Sequence, residues 1–301
     1  MTDGDEPATD GGAEADTRPT EGGGSSGVAV RDTALVTGCS SGIGRATALA
    51  LDAEGFRVYA AARDEADLAN LAERGVETGT LDVTDARDTD ATVERVVDET
   101  GGLDLLVNVA GFAQLGPVED VPVARVRRQF DVNVFGPHRL VRAALPHVRA
   151  SEGRIVTVSS AAAVVSFPGG GVYSGAEAAK AAMTDALRAE VDQFDVEVVL
   201  VEPGPVETEF AGRAERERDA IDRTDAYDGF YRFYDDTQRI GGLPLGVDPE
   251  TVADAVVDAA TCADPPARRP VGRLARLAGV ARYLPAGARD ALYGLLARLT
   301  D

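Results

Sequence analysis

The stretch Thr37–Gly38–Cys39–Ser40–Ser41–Gly42–Ile43–Gly44 sets three glycines within eight residues. An apolar run precedes it and a segment of helical periodicity follows. A pyrophosphate can be laid on backbone N–H groups where a strand turns into a helix, provided no side chain blocks the approach. The stretch is therefore a candidate dinucleotide cradle, and a tight turn without ligand is the plain alternative. Other reactive residues are few. Cys39 and Cys262 form no CxxC pair, which points to small semi-apolar side chains in a reducing cytoplasm. His138 and His147 are not at a metal-ligand spacing, so no metal site is expected.

The elements that must position this turn alternate. Apolar strands are read at 33–36, 56–62, 76–83, 103–109, 154–159 and 196–201. Between them, helices are read at 45–53, 64–74, 85–100, 123–150 and 172–192, with a break expected at Gly136–Pro137. The continuously apolar strands suit a parallel sheet buried on both faces. Strand–helix alternation implies one α/β doubly wound sheet. A further helix is read at 249–262.

From about Thr33 to at least Phe210 the chain resembles the short-chain dehydrogenase/reductase family, through several motifs. The glycine turn has the TGxxxGIG form. Leu81–Asp82–Val83 resembles the segment that contacts adenine. Asn108–Val109–Ala110–Gly111 resembles NNAG, with valine at its second position. Phe130–Asp131–Val132–Asn133 and Pro203–Gly204 match two further segments. The resemblance implies a single Rossmann-type domain, hydride transfer between a nicotinamide cofactor and a carbonyl/alcohol pair, and a homo-oligomer. It implies cofactor contacts at Gly38, Ser41, Gly42, Ile43, Gly44, Asp82, Val83, Asn108, Gly111, Tyr173, Pro203, Gly204 and Thr208. The second strand ends at Ala62, where an acid would hold the adenosine ribose of NAD. Arg63 follows and is placed for a 2′-phosphate, which favours NADP(H) over NAD(H).

The same resemblance assigns the proton transfer to Tyr173, the holding of the substrate oxygen to Ser160, and a structural and relay role to Asn133. A free phenol has a pKa of about 10, too high for efficient transfer near neutrality, and a cation lowers it. The family supplies that cation from a lysine four residues after the tyrosine, one helical turn on. Here Glu177 stands there, and its charge acts in the opposite direction. Lys180, the single lysine of the chain, lies about 60° further round the helix and about 4.5 Å along it. Three readings stay open: Lys180 or an arginine replaces the cation, the enzyme is slow, or turnover is lost and the cofactor serves regulation or scaffolding. An ordinary surface pair of Glu177 with Lys180 is the plain reading of the lysine.

Among 301 residues, 51 acids face 30 bases, a net charge of −21. Such a chain repels phosphate backbones and anionic lipid, so nucleic acid is excluded and membrane contact disfavoured. Acidic excess with one lysine fits a salt-loaded cytoplasm. No run of roughly 18 apolar residues would span a bilayer, and no signal peptide is visible. Residues 1–27 read as a disordered acidic tail before a domain at 28–301. The stretch 205–245, with Phe210, Tyr227, Phe230, Tyr231, Phe233 and Tyr234, reads as a lid. With Phe112, Val164, Val165 and Phe167 it suggests an apolar substrate. The arginine-rich end, with Leu274, Leu277, Leu284, Leu292, Leu295, Leu296 and Leu299, reads as an amphipathic segment packed on the domain or a partner subunit.

Overall fold

The computed structural model describes residues 32–239 and 246–288. The expected tail at 1–27, the last residues of the lid stretch and the leucines at 292–299 lie outside them. Seven parallel strands make one sheet in the order β3-β2-β1-β4-β5-β6-β7. The strands are β1 (Thr33–Thr37), β2 (Arg57–Ala62), β3 (Glu77–Thr80), β4 (Leu105–Asn108), β5 (Arg154–Val158), β6 (Glu197–Pro203) and β7 (Arg268–Val271). The doubly wound architecture is as expected. β1 pairs with both β2 and β4, with Leu35 opposite Tyr59 and Leu106. The chain winds one way from β1 to β3 and the other way from β4, which opens a crevice at the carboxyl ends of β1 and β4.

Both sheet faces are covered. One face packs Val36, Val107, Val156 and Val199 against α1 (Gly42–Ala53) and α9 (Pro249–Thr261) through Ala48, Leu51, Val252 and Val256. The other packs Leu35, Leu106, Ile155 and Val198 against α3 (Ala86–Thr100) and α5 (Gly136–Ala150) through Val93, Val96, Leu140 and Ala144. Alternate residues of one strand thus feed opposite layers, and each fully buried Leu or Ile contributes about 1.5–3 kcal/mol. No helix among the described residues is long and apolar enough to cross a membrane.

Four departures from the sequence reading have physical causes. β7 went unread because Arg268, Arg269 and Pro270 do not look like a strand. It is an edge strand, where proline is tolerated. β3 and β4 are shorter than the apolar runs, whose ends belong to loops. The polar stretch at 64–74 is a 3₁₀ turn, Glu65–Leu68, followed by α2 (Ala69–Ala72). The helix at 123–150 is not cut at Gly136–Pro137. Instead α4 (Val123–Phe130) runs through a π-helical turn, Asp131–Phe135, into α5. Pro137 has no N–H for the Asn133 carbonyl, and the Gly136 N–H reaches five residues back to Asp131.

Candidate active site

The glycine turn leaves β1 and enters α1 at the crevice. Gly38 and Gly42 have φ of +76° and +53°, which favours glycine. A Cβ at Gly44 would lie 2.3 Å from the Gly38 carbonyl oxygen, so that glycine lets helix and turn touch. Ser41 is the N-cap of α1, yet its side chain caps nothing, leaving the first-turn N–H groups open to an anion. Thr37 Oγ1 accepts from the N–H groups of Val109 and Ala110 at 3.1 and 3.3 Å, tying the turn to the loop after β4. Ile43 packs against the core beneath it. This cradle, with its uncapped helix and close-approach glycines, fits a dinucleotide pyrophosphate.

The other expected cofactor residues surround that crevice in different ways. Arg63 is exposed, and with Ser40, Asp64, Asp67 and Arg213 it lines a cleft of about 550 Å³. Asp82 Oδ1 accepts from the N–H and hydroxyl of Thr84 at 2.9 and 2.7 Å. The Thr84 N–H is the main reason its pKa is lowered, with help from Arg63 and Arg139. The Val83 side chain is in the core under Gly136, so only its backbone is available to a ligand. Asn108 ends β4 at 2% exposure, and neither side-chain polar atom has a partner among the described residues. Gly111 lies against Asn133. Pro203 ends β6, and Gly204 abuts Leu274 and Ala275, both on α10 (Arg273–Ala281). Thr208 caps α7 (Glu209–Asp219), and its methyl carbon would lie 2.9 Å from a Cβ at Gly42.

The residues expected to handle the proton sit at the end of β5 and on α6 (Gly171–Val191). Tyr173, Glu177 and Lys180 follow an i, i+4, i+7 spacing, one stripe of the helix. Burial pushes the Tyr173 phenol up, the Glu177 charge raises it further, and a hydrogen bond with Ser160 acts the other way. Ser160 Oγ also accepts from the Ala162 N–H at 3.1 Å, which fixes its position. Ser159, its neighbour, donates to Glu177 Oε2 at 2.9 Å. Adjacent residues at a strand end point apart, so one serine serves Tyr173 and the other Glu177. The doublet was the available signal for Ser159, and the sequence reading missed it.

Glu177 is 1% exposed and fully engaged. Asn133 Nδ2 donates to it at 2.9 Å, and Lys180 Nζ lies 3.0 Å away. Lys180 is 6% exposed, so the expected surface pair is a buried one; the cause is that the stripe faces the sheet and the π-helical turn. Asn133 also holds Phe112 by both backbone groups, donating to its carbonyl at 3.0 Å and accepting its N–H at 3.2 Å. The widened turn thus aims Asn133 inward between the loop after β4 and α6.

Over this floor lies the stretch expected as a lid. α7 sets Phe210 with its ring 6.0 Å from that of Tyr173. α8 (Asp228–Arg239) brings Phe230 against Gly169, and the Tyr234 hydroxyl donates to the Pro168 carbonyl at 2.9 Å. Asp120 ties this stretch down by accepting from Thr224 and from Tyr231, the latter at 2.6 Å. His138 is exposed, and no His, Cys, Asp or Glu group that could hold a metal occurs among the described residues.

Sheet order, crevice and tyrosine–serine pair define a dinucleotide-dependent oxidoreductase architecture, and the chain belongs to the short chain dehydrogenase family, matched over residues 32–219. It is 36% identical over 264 residues to the NADPH-dependent 3-dehydrocapnine reductase of Ornithobacterium rhinotracheale, covering 83% of this chain and 92% of that protein. A short-chain dehydrogenase from Streptomyces avermitilis superposes with a TM-score of 0.73 at 32% identity, over 90% of this chain and 98% of its own. One from Burkholderia cenocepacia, solved in complex with NADP, does so with 0.71 at 26% identity, over 87% and 97%.

Proposed function

We propose that this chain is an NADP(H)-dependent reductase acting on an apolar carbonyl compound. The observation that carries it is the joint placement of Ser160 and Tyr173 beside the crevice that holds the uncapped glycine turn. A nicotinamide cofactor, when bound, supplies the hydride. Ser160 orients the carbonyl oxygen, and the Tyr173 hydroxyl gives that oxygen its proton. Arg63, exposed at the cleft, supports the choice of NADP(H), as does the NADPH dependence in the name of the Ornithobacterium relative. Phe210, with its ring 6.0 Å from that of Tyr173, supports an apolar substrate.

The raised tyrosine pKa sets a direction. A phenol that keeps its proton to high pH stays in the form that reduction needs, although a raised pKa makes it a weaker donor. The reverse reaction needs the phenolate, which Glu177 disfavours. The enclosed Glu177 also supports a second reading: a cofactor-binding protein that has lost turnover and serves regulation or scaffolding. The wider reading places an oxidoreductase domain at 28–301 behind an acidic tail, in a salt-rich cytoplasm and as a homo-oligomer. Buried Cys39 and exposed Cys262, neither in a disulfide, are in keeping with a reducing compartment.

The test is titration with NADPH and NADH in high salt, then NADPH oxidation against a carbonyl panel. Tight NADPH binding with turnover supports the reductase. NADPH binding without turnover on any carbonyl, rescued by E177K, supports the second reading. Preference for NADH, or for small charged substrates, overturns the assignment.

A further inference from the structure

Arg213 was not singled out by its sequence context, and the fold carries it to the cofactor cleft. It lies on α7, yet it lines the cleft beside Arg63 and Ser40. Its Nη2 donates to Ser41 Oγ at 2.8 Å, in the glycine turn, and to Glu209 Oε2 at 3.0 Å. Neither contact is a strong hold. The Glu209 side chain is 73% exposed, and pairs of that kind are worth about 0–1 kcal/mol. A phosphate dianion in the cleft would offer the same guanidinium several charged acceptors at once, in a geometry the fork matches.

We propose that Arg213 is a second phosphate-binding residue, and that it and Arg63 hold the 2′-phosphate of the dinucleotide between them. The inference rests on the NADP(H) reading above and adds a specificity residue to it. Charge in the cleft calls for two cations. Asp64 and Asp67 also line it, and Asp64 Oδ1 already takes the Ala66 N–H at 3.0 Å. Arg45 stands behind the rim, its Nη2 on the Ser40 carbonyl and 3.3 Å from that of Asp67. Arg63 alone would leave one of the two lining acids uncompensated before any dianion arrived. With Arg213 the cleft has two lining cations for its two lining acids.

The placement links two parts of the site. Arg213 and Phe210 are three residues apart, on one face of α7. Phe210 meets the Tyr173 ring. The helix that grips the phosphate therefore also walls the catalytic tyrosine, and loss of the grip is read at both ends.

The test measures equilibrium binding of NADPH, NADH, adenosine 2′,5′-bisphosphate and 5′-AMP to the full-length protein and to R213Q, R213K and R63Q. Circular dichroism checks that each variant is folded. Loss of one charge-assisted contact predicts roughly tenfold weaker NADPH binding in R213Q. NADH should change less than about twofold, since it lacks the contacted group. R213K should recover part of the loss, R63Q should match R213Q, and the bisphosphate should follow NADPH. In R213Q the carbonyl KM should rise as well. NADPH binding unchanged in R213Q overturns the inference. Equal losses for NADPH and NADH also overturn it, because they place Arg213 on the pyrophosphate. An unmutated protein that binds neither dinucleotide, or binds NADH better, instead overturns the NADP(H) reading on which the inference rests.

Discussion

Replacing Glu177 with lysine is the sharpest perturbation of this site. At i,i+4 spacing the two Cβ atoms lie about 6 Å apart, and we take that as the separation of the charges. At an effective dielectric of about 20, a unit charge there is worth about 332/(20 × 6) ≈ 2.8 kcal/mol, or about 2 pKa units. Lys180, 3.0 Å from Glu177, offsets part of this, and we take half. Removing the anion and installing a cation then lowers the Tyr173 pKa by about 2 units in all. With half of that shift expressed in the transition state, reduction at neutral pH rises about tenfold. The sign with pH follows. The native phenol, raised by burial and Glu177, keeps its proton into the alkaline range, so reduction persists there and oxidation is suppressed. In E177K the alkaline limb of reduction moves to lower pH and oxidation begins there. The assay is NADPH oxidation and NADP reduction at 340 nm from pH 6 to 11. Because E177K sets two ammonium groups together, E177K/K180L carries the same prediction without that buried like-charge contact. A folded, NADPH-binding variant with an unmoved alkaline limb and no gain in rate would refute the electrostatic argument.

Three further outcomes follow from the packing and charge described above. Leu106 is fully buried between β1 and β5, so L106A should cost about 2–5 kcal/mol in denaturant unfolding, with cofactor affinity retained in the folded fraction. Burial pushes the Cys39 thiol up to about 12, whereas Cys262 is exposed. A thiol reagent at pH 8 should therefore titrate one cysteine in the native protein and two in denaturant, and two fast native thiols would contradict the packing at β1. Burial raises the Asp120 pKa, but hydrogen bonds from Thr224 and Tyr231 more than reverse this, so its folded value lies below 3.8. Its contribution is present above that value and is lost as pH falls through the lowered one. If the stretch it holds is the proposed lid, D120N should raise the carbonyl KM while leaving NADPH affinity in place, and an unchanged KM would refute that role.

The sheet was legible because its central strands are continuous apolar runs, and the glycine turn because only a close backbone approach calls for that spacing. Ser160 and Tyr173 were legible through their separation and the elements around them. What stayed hidden was set by tertiary context. Arg268 to Val271 carries no apolar pattern, yet it pairs with β6 because an edge strand needs only one partner. Glu177 and Lys180 read as an exposed pair because charged residues usually are exposed, and nothing in the local pattern shows that three partners enclose the carboxylate. The π-helical turn depends on where the carbonyl released by Pro137 falls, which is a property of packing. Arg213 lies far along the chain from the glycine turn it meets, and only the fold brings them together.

The single lysine of this chain is the buried Lys180, so no described surface position presents a primary amine side chain. Every exposed positive charge is a guanidinium, which keeps its proton at any pH the fold survives and is a poor nucleophile. Amine-directed acylation, Schiff-base formation by reducing sugars and amine-directed cross-linkers thus find almost nothing to attack apart from the α-amino group. Proteolysis specific to lysine meets one inaccessible bond. The acidic coat is complemented by arginines whose charge neither titrates nor is removed by amine chemistry.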